Sequence, residues 1–250
     1  MQHSSHHYIL KISCPATSGI VAAVTTFLAQ SGCYISEMAQ FDDEFHERFF
    51  MRAVFRGNSG GELDLAQIEK GFAGVAERFA MQWELHSQAQ PMRVLLMVSK
   101  YDHCLNDLLY RYHKGEMHMQ ITAIVSNHLD LRPMAEREGI RFIYLPVTKD
   151  NKAQQEAELL KIVQDTQTEL VVLARYMQIL SDDLCRHLNG RAINIHHSFL
   201  PGFKGAKPYH QAWDRGVKLI GATAHYVTSD LDEGPIIEQE VQRVDHAYLP

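Results

Sequence analysis

The segment 194–205, with the sequence NIHHSFLPGFKG, concentrates residues that could do chemistry. The Asn194 amide offers two N–H donors and an acceptor without charge, which suits a carbonyl oxygen that becomes an oxyanion. His196 can move a proton near neutral pH, and in a strand it would lie on the same face as Asn194. Further along the chain, Asp232 could orient or charge-stabilise that histidine. These three side chains suit acyl or formyl transfer by direct attack on a carbonyl carbon.

The same residues leave other interpretations open when they are considered singly. Asn194 could be a turn residue, and His197 and His225 could be packed or capping histidines. The segment 194–205 has no Gly-x-Ser-x-Gly motif, which disfavours a covalent acyl-enzyme. No triad of histidine and acidic residues has metal-ligand spacing, so we expect no metal site.

Strand and helix patterns that alternate after residue 92 must position this segment. We predict strands at 92–99, 119–126, 142–145 and 170–174, and helices at 104–113, 131–138, 152–165 and 181–188. Apolar strands that alternate with helices indicate a parallel sheet covered on both faces, with the ligand at the carboxyl ends of the strands. The short run 191–193 leads directly into Asn194, so a strand end is expected there. After Pro201 the alternation gives way to two strands, 220–227 and 236–244, which would complete the sheet edge as a pair.

The first part of the chain shows a different order of elements. Strands are predicted at 8–12, 34–41, 47–55 and 81–86, and helices at 20–30 and 65–79. This βαββαβ order predicts a ferredoxin-like domain. The polar stretch 88–91 is interpreted as a linker. We therefore expect an α/β protein with an N-terminal domain over residues 1–87, that linker, and a C-terminal Rossmann-like domain with a mostly parallel sheet over 92–250.

Composition and charge disfavour several classes of protein. The chain has 250 residues, 46% of them apolar and 22% charged, as expected of a soluble globular protein. The net charge of −6 disfavours broad binding to nucleic acid, which requires a basic face. No apolar run approaches the roughly eighteen residues of a membrane span, and residues 1–7 lack the apolar region of a secretory signal. The histidines in residues 1–7 fit either natural sequence or a tag.

Four cysteines are scattered along the chain without C-x-x-C spacing: Cys14, Cys33, Cys104 and Cys185. We expect them to be reduced, buried thiols, as in a cytoplasmic protein. Their spacing also argues against a zinc site.

The N-terminal domain resembles an ACT domain. The features that match are the order of elements, the Cys14-Pro15 turn that leads into Gly19, and the strand 48–52, RFFMR. The resemblance implies dimerisation between paired ACT modules, and thus a homo-oligomer, and an amino-acid effector. ACT domains usually carry Asp and Arg after the proline, where this chain has the segment 16–18, Ala-Thr-Ser. An ACT-like domain that serves assembly alone is therefore the alternative.

The C-terminal domain resembles the folate-dependent formyltransferase family. The pattern consists of Asn194 and His196, then Ser-Phe-Leu-Pro at 198–201, then Gly205, and finally Asp232 before Gly-Pro-Ile at 234–236. By this resemblance Asn194, His196 and Asp232 are the catalytic Asn, His and Asp. Many members have Pro after the histidine, where this chain has His197.

The resemblance also assigns the residues that hold the folate. The segment 173–180, LARYMQIL, matches the part of the family that wraps the pterin, and the loop 228–232 would hydrogen-bond the ring. The implied folate-binding residues are Leu173, Ala174, Arg175, Tyr176, Met177, Gln178, Leu180, Gly205, Thr228 and Asp230. The folate is the substrate, so no further cofactor is implied.

Within the family, the chain resembles the branch that hydrolyses 10-formyltetrahydrofolate to formate and tetrahydrofolate. The matching features are the Val-Ser-Lys start at 98–100 with Asp-His-Cys-Leu at 102–105, the run 203–209, FKGAKPY, and the ACT-like domain in front. Such an enzyme supplies formate for purine synthesis and balances the folate pool. Members normally continue past the last strand, so this chain, which stops at Pro250, is expected to be shortened.

Two alternatives to hydrolysis are open. The first is formyl transfer to an amine. The turn at 99–103, after the first predicted strand of this domain, has no glycine and so offers no phosphate-binding turn for a ribonucleotide amine. The acidic net charge likewise offers no binding surface for a tRNA acceptor. The second is a regulator that binds folate without turnover, against which the intact set Asn194, His196 and Asp232 argues. The division of acid and base roles between His196 and Asp232 is open as well.

Overall fold

A computed structural model describes residues 6–58, 61–205 and 207–250. Most of the histidine-bearing start of the chain, and Ala206 of the run 203–209, therefore lie outside the described residues. The chain divides into two compact units, Met1–Pro91 and Met92–Pro250.

The first unit has the predicted order of elements, βαββαβ. Its elements are β1 Tyr8–Pro15, α1 Ile20–Gln30, β2 Cys33–Asp43, β3 Arg48–Gly57, α2 Leu65–Arg78 and β4 Gln82–Ser87. The strands form one sheet in the order β2-β3-β1-β4, and every neighbouring pair is antiparallel. This order leaves β2 and β4 as the edge strands of the sheet.

The core of the first unit follows from alternation along its strands. In β1, Tyr8, Leu10 and Ile12 are buried, while the residues between them are partly or fully exposed. The two helices cover this face, and Leu28 of α1 and Phe72 of α2 are almost fully buried. The helices thus supply the apolar surface that one face of an antiparallel sheet requires.

The second unit alternates strands and helices, and its sheet is largely parallel as predicted. Its elements are β5 Met92–Val98, α3 His103–His113, β6 Met119–Ser126, α4 Arg132–Arg137, β7 Phe142–Tyr144, α5 Lys152–Asp165, β8 Leu170–Leu173, α6 Asp182–His187, β9 Ala192–His196, α7 Pro208–Asp214, β10 Leu219–Tyr226 and β11 Ile236–Arg243. The strand order is β11-β10-β9-β8-β5-β6-β7. Strands β5 to β9 pair in parallel, and β10 and β11 join antiparallel at one edge. Within the described ranges, no helix is long and apolar enough to cross a membrane.

The central strand β5 has a continuous apolar run because both of its faces are buried. Leu95 and Met97 belong to the core on one face of the sheet, whereas Leu96 and Val98 belong to the core on the other. All four are essentially inaccessible to solvent. A strand buried on both faces needs apolar residues at every position, so this run could be identified before the fold was known.

Helix α7 is a correction to the predicted elements, because no helix was expected between Pro201 and the last strand pair. It spans only seven residues, and Pro208 occupies its first turn, where the missing N–H costs nothing. Its buried residues are only Pro208 and Ala212. A helix this short presents too few apolar residues for a helical period to emerge from the sequence.

Candidate active site

A cavity of about 260 Å³ opens at the carboxyl ends of β8 and β9. Its wall contains Asn194, His196 and Asp232, together with all but one of the predicted folate-binding residues. Those are Leu173, Arg175, Tyr176, Met177, Gln178, Leu180, Gly205, Thr228 and Asp230. The exception is Ala174, which is fully buried and whose backbone N–H donates to Met97 O at 2.8 Å. The carboxyl edge of a parallel sheet is where such folds bind ligands.

Strand β9 carries Asn194 and His196 as its third and fifth residues. The strand is therefore longer than the run 191–193 suggested, and the two polar residues lie at its carboxyl end. Both side chains line the cavity, as the two-residue spacing predicted.

His196 and Asp232 form a buried pair. The distance from His196 Nδ1 to Asp232 Oδ1 is 3.4 Å, and the side chains are only 5% and 6% exposed. The other carboxylate oxygen, Asp232 Oδ2, accepts the backbone N–H of Gly205 at 3.1 Å. Such a pair has little water around it, so its electrostatic interaction is stronger than that of a surface ion pair.

The second ring nitrogen of His196 also faces an oxygen. His196 Nε2 lies 3.2 Å from the backbone carbonyl of Phe203, which can only accept a hydrogen bond. Because both ring nitrogens face acceptors, the doubly protonated imidazolium satisfies both contacts at once. An imidazolium at this position would therefore have an acceptor for each of its two N–H groups.

His225 is a site residue that the sequence pattern did not assign to the site. It is 3% exposed and lies opposite Asn194 in the register between β9 and β10. Its Nδ1 donates to Tyr226 O at 2.9 Å, which leaves Nε2 to accept from Asn194 Nδ2 at 3.2 Å. The same Nε2 is 3.8 Å from Asp232 Oδ1. His225 therefore belongs to the polar cluster and is more than a packed or capping histidine.

His197 also lines the cavity. Its ring centroid lies 5.5 Å from that of His196 and 5.6 Å from that of Tyr209, which it meets edge to face. Burial, followed by the charges of Arg175 and His196, lowers the pKa of His197 to about 4. At neutral pH this ring is therefore uncharged, unlike a free histidine close to its ordinary titration range.

The loop that follows β9 is tied to the antiparallel edge of the sheet. Thr223 of β10 is fully buried, and its hydroxyl donates to Ser198 O at 2.8 Å. The same oxygen accepts Leu200 N at 3.1 Å and Gln239 Nε2 at 3.1 Å. Gln239 of β11 also donates to Leu200 O at 2.9 Å. Strands β10 and β11 thus hold the loop that carries Phe203 and Gly205 beside the catalytic candidates.

The loop after β8, which forms the predicted pterin wall, is held by polar residues that follow β5 and β6. The buried Ser99 hydroxyl accepts Met177 N at 3.0 Å and donates to Asn127 Oδ1 at 2.6 Å. Burial, with a smaller effect of Glu156, raises the pKa of the Tyr176 phenol to about 12, so this ring stays neutral. The polar residues after β5 and β6 thus fix the position of the loop.

The hairpin between β10 and β11 delivers Asp232, whose backbone has φ +58°. Two residues later, a Cβ on Gly234 would lie 1.7 Å from Tyr226 O, so no other residue fits there without moving the strand. Asp is among the residues that adopt the left-handed region most readily. The backbone of this turn therefore requires glycine at position 234 and suits aspartate at position 232.

The cluster combines a neutral amide, an imidazole and a carboxylate on one side of the cavity. An N–H donor and a cationic ring can stabilise an oxyanion, and a carboxylate beside the ring can move a proton. Among the described residues, no group of three or more His, Cys, Asp or Glu is arranged to hold a metal ion.

Comparison with known proteins agrees with this chemistry. The formyl transferase family matches residues 92–249. A formyltetrahydrofolate deformylase of Corynebacterium sp. (strain P-1) is 52% identical over 243 residues, which cover 97% of this chain and 85% of that protein.

Solved structures extend the similarity to the whole fold. The formyltetrahydrofolate deformylase of Burkholderia mallei is 55% identical with a TM-score of 0.91, covering 97% of this chain and 85% of the other. That of Pseudomonas syringae pv. tomato is 48% identical with a TM-score of 0.94, covering 98% and 82%. The chain therefore belongs to the formyl transferase family and, within it, to the formyltetrahydrofolate deformylases.

Proposed function

We propose that this protein hydrolyses 10-formyltetrahydrofolate to formate and tetrahydrofolate. The observation that carries the proposal is the buried His196–Asp232 pair, which shares one cavity with Asn194 and with the wall predicted to hold the pterin. Relatives similar over nearly the whole chain are formyltetrahydrofolate deformylases.

In the proposed reaction, a water molecule attacks the formyl carbon. Its oxygen bonds to that carbon, and the carbonyl oxygen becomes an oxyanion stabilised by an Asn194 N–H and by the His196 imidazolium. The C–N10 bond then breaks, N10 takes one proton of the attacking water, and the product leaves as formate after its other proton passes to solvent. The His196–Asp232 pair moves the proton from the attacking water towards N10, because its side chains lie next to each other and to the cavity.

The rest of the cavity suits the fused ring of a folate. Met177 and Ile179 are about half and three-fifths exposed, at 52% and 61%, and both line the cavity. Apolar side chains left accessible in this way provide a surface on which a flat heterocycle can pack. The loop 228–232 lines the same cavity, and its backbone is proposed to hydrogen-bond the ring.

The test is release of formate from 10-formyltetrahydrofolate in the absence of any amine. We expect stoichiometric formate and tetrahydrofolate from the purified protein. Turnover that appears only after an amine acceptor is added, with the formyl group recovered on that amine, would contradict the proposal and favour formyl transfer.

We further propose that the N-terminal unit is an ACT-like domain that pairs with its copy in a second chain and takes an amino-acid effector. The edge strand β2 supports the pairing, since Met38 and Phe41 on it, and Phe50 on its neighbour β3, are exposed. An exposed apolar edge strand is a surface on which a second sheet can pair. Sedimentation should give an oligomer in wild type and a lower mass for Phe41→Lys, and single amino acids added to the hydrolysis assay test the effector.

We also propose a cytoplasmic enzyme that works without a metal or separate cofactor and supplies formate for purine synthesis. The side chains of Asn194, His196 and Asp232 are sufficient for the proposed acid–base and oxyanion steps. The four cysteines are unpaired, in keeping with a reducing compartment. Activity that survives dialysis against a chelator is the expected result.

A further inference from the structure

Arg175 lies in the wall of the active-site cavity and has no acidic partner among the described residues. Its side-chain Nε is buried and has no hydrogen-bond acceptor in the part of the chain that the structure describes. Among the described residues, the ion pairs within 4.0 Å do not include Arg175, although its guanidinium lies over the Tyr101 ring at 5.2 Å. A buried guanidinium N–H without an acceptor destabilises the empty protein, so a ligand that accepts from it would be bound favourably.

The backbone holds Arg175 in this position. Arg175 has φ +62°, a left-handed conformation that is uncommon for a residue with a long side chain. On its two sides, Ala174 N is bonded to Met97 O and Met177 N to the Ser99 hydroxyl. Strain of this kind persists only where the surroundings fix the backbone, and such places cluster at functional sites.

His197 connects Arg175 to the reacting groups. The charge of Arg175 acts on His197, whose ring packs against the ring of His196. Because burial, and after it the charge of Arg175, lowers the pKa of His197 and keeps the ring neutral, the ring can offer one N–H donor without adding a second positive charge. Tyr209 holds the ring edge to face, and its own hydroxyl is committed to Gly221 O at 3.1 Å.

We propose that Arg175 and His197 form a carboxylate-binding subsite next to the reacting groups, and that formate released in the reaction occupies it. The occupant rests on the proposed function. A guanidinium presents a planar fork of donors that matches a carboxylate, and the neutral imidazole adds one donor. The substrate's formyl group is neutral, whereas formate is an anion made close to the Asp232 carboxylate, which repels it. A cation in the same cavity offsets that repulsion.

A second carboxylate could reach the same groups, namely the glutamate tail of the folate. The two sources differ in what the loss of Arg175 changes. If formate is the occupant, the loss weakens binding of free formate, and any change in KM is the same for substrates with and without the glutamate, since Arg175 also lines the predicted folate wall. If the glutamate tail is the occupant, the loss raises the KM measured with the glutamate-bearing substrate. The KM measured with the formylated tetrahydropteroate, which has no glutamate, would then stay the same.

The experiment compares wild type with Arg175→Met. Binding of ¹³C-labelled formate to the free protein is followed by NMR line broadening at constant ionic strength, with chloride as the balancing anion because salt screens weak charge contacts. The KM values of the two substrates are measured alongside. We expect Arg175→Met to weaken formate binding about tenfold or more, since it removes a charge-assisted contact.

Four further variants provide a control and independent tests of the subsite. Arg132→Gln removes an exposed cation of α4 that does not line the cavity, and its formate affinity should equal that of wild type. Arg175→Lys keeps the charge but loses the fork, so it should bind formate with intermediate affinity even if Arg175→Met folds poorly. His197→Leu should weaken formate binding, whereas His197→Gln, which keeps a neutral donor, should largely retain it.

The outcomes separate this proposal from the proposed function. Unchanged formate binding in the Arg175 variants, without a selective rise in the KM of the glutamate-bearing substrate, would overturn the subsite. A selective rise in the KM of the glutamate-bearing substrate would support a carboxylate subsite with the folate tail as its occupant. A wild type that binds formate but releases none from the substrate would contradict the hydrolytic function while leaving the subsite intact.

Discussion

Asn194 and His225 face each other across β9 and β10, with Asn194 Nδ2 3.2 Å from His225 Nε2. The carbonyl of Tyr226 accepts from His225 Nδ1, so Nε2 is left as an acceptor. These two hydrogen bonds orient the Asn194 amide so that its Nδ2 faces His225. One N–H of Nδ2 then donates to His225, and the other is left for a ligand. The position of the proposed oxyanion donor therefore depends on a residue that need not touch the substrate.

The first prediction concerns the hydrogen bond between Asn194 and His225. His225→Ala removes the acceptor that orients Asn194, and the misplaced donor should lower kcat by about a hundredfold. Because the pterin wall is untouched, KM should change little. Steady-state kinetics check both values, with His187→Ala as a control on an exposed histidine of α6. A rise in KM at constant kcat would assign His225 to substrate binding instead.

The second prediction concerns Asp232. Asp232→Asn keeps the shape of the side chain but removes the charge beside His196 and the proton-moving group. Formate release should fall by roughly a hundredfold or more, within the range that general acid–base groups contribute. Folate binding, followed by quenching of intrinsic fluorescence, should be largely retained. Unchanged turnover would remove Asp232 from the mechanism.

The third prediction concerns the buried hydroxyl of Thr223. Thr223→Val leaves Ser198 O and Leu200 N without this partner, and Gln239 loses one of its two acceptors. Unsatisfied buried groups of this kind cost about 1–3 kcal/mol, so the unfolding free energy of the second unit should fall by that amount. Urea unfolding measures the change. Thr223→Ser keeps the hydroxyl and should behave close to wild type; equal losses in both variants would show that the lost hydroxyl does not account for the effect.

The fourth prediction is a pH dependence that arises from His197. Its pKa is about 4 in the folded protein and near the ordinary value of 6.5 when unfolded. Between these values the unfolded chain binds more protons, so stability falls as the pH is lowered from about 7 towards 4 and levels off below the folded pKa. His197→Gln should show a flatter dependence over this window.

Thermal unfolding from pH 4 to 7, expressed as the difference between His197→Gln and wild type, measures this contribution. His187→Gln serves as the matched control, because His187 is exposed and lies outside the cavity wall. Parallel curves for wild type and His197→Gln would show that the ring is not kept neutral by the fold.

Much of the fold could be predicted because local sequence patterns determine its strands and helices. The continuous apolar run of β5 indicates a strand buried on both faces, and the helix predicted at 181–188 is present as α6, which Ser181 caps by accepting Leu184 N. Helix α7 escaped prediction because its seven residues bury too little apolar surface to show a period.

The site was predictable only in part, for a related reason. Asn194 and His196 are two residues apart in one strand, so their common face follows from the chain itself. His225 joins Asn194 only through the register between β9 and β10, which local sequence does not specify. The left-handed backbone of Arg175, and the lack of an acceptor for its Nε among the described residues, are likewise properties of the folded surroundings.

The sheet order has a consequence for how the enzyme fails. Asp232 lies in the hairpin that leads into β11, and β11 is the outermost strand of the seven-stranded sheet, with most of its residues exposed. Edge elements with few buried contacts open locally at a lower free energy than the core. Fraying of β11 would withdraw the carboxylate while β5, β6 and β8 stayed packed. Heat inactivation is therefore expected to precede loss of the global fold, and to reverse on cooling.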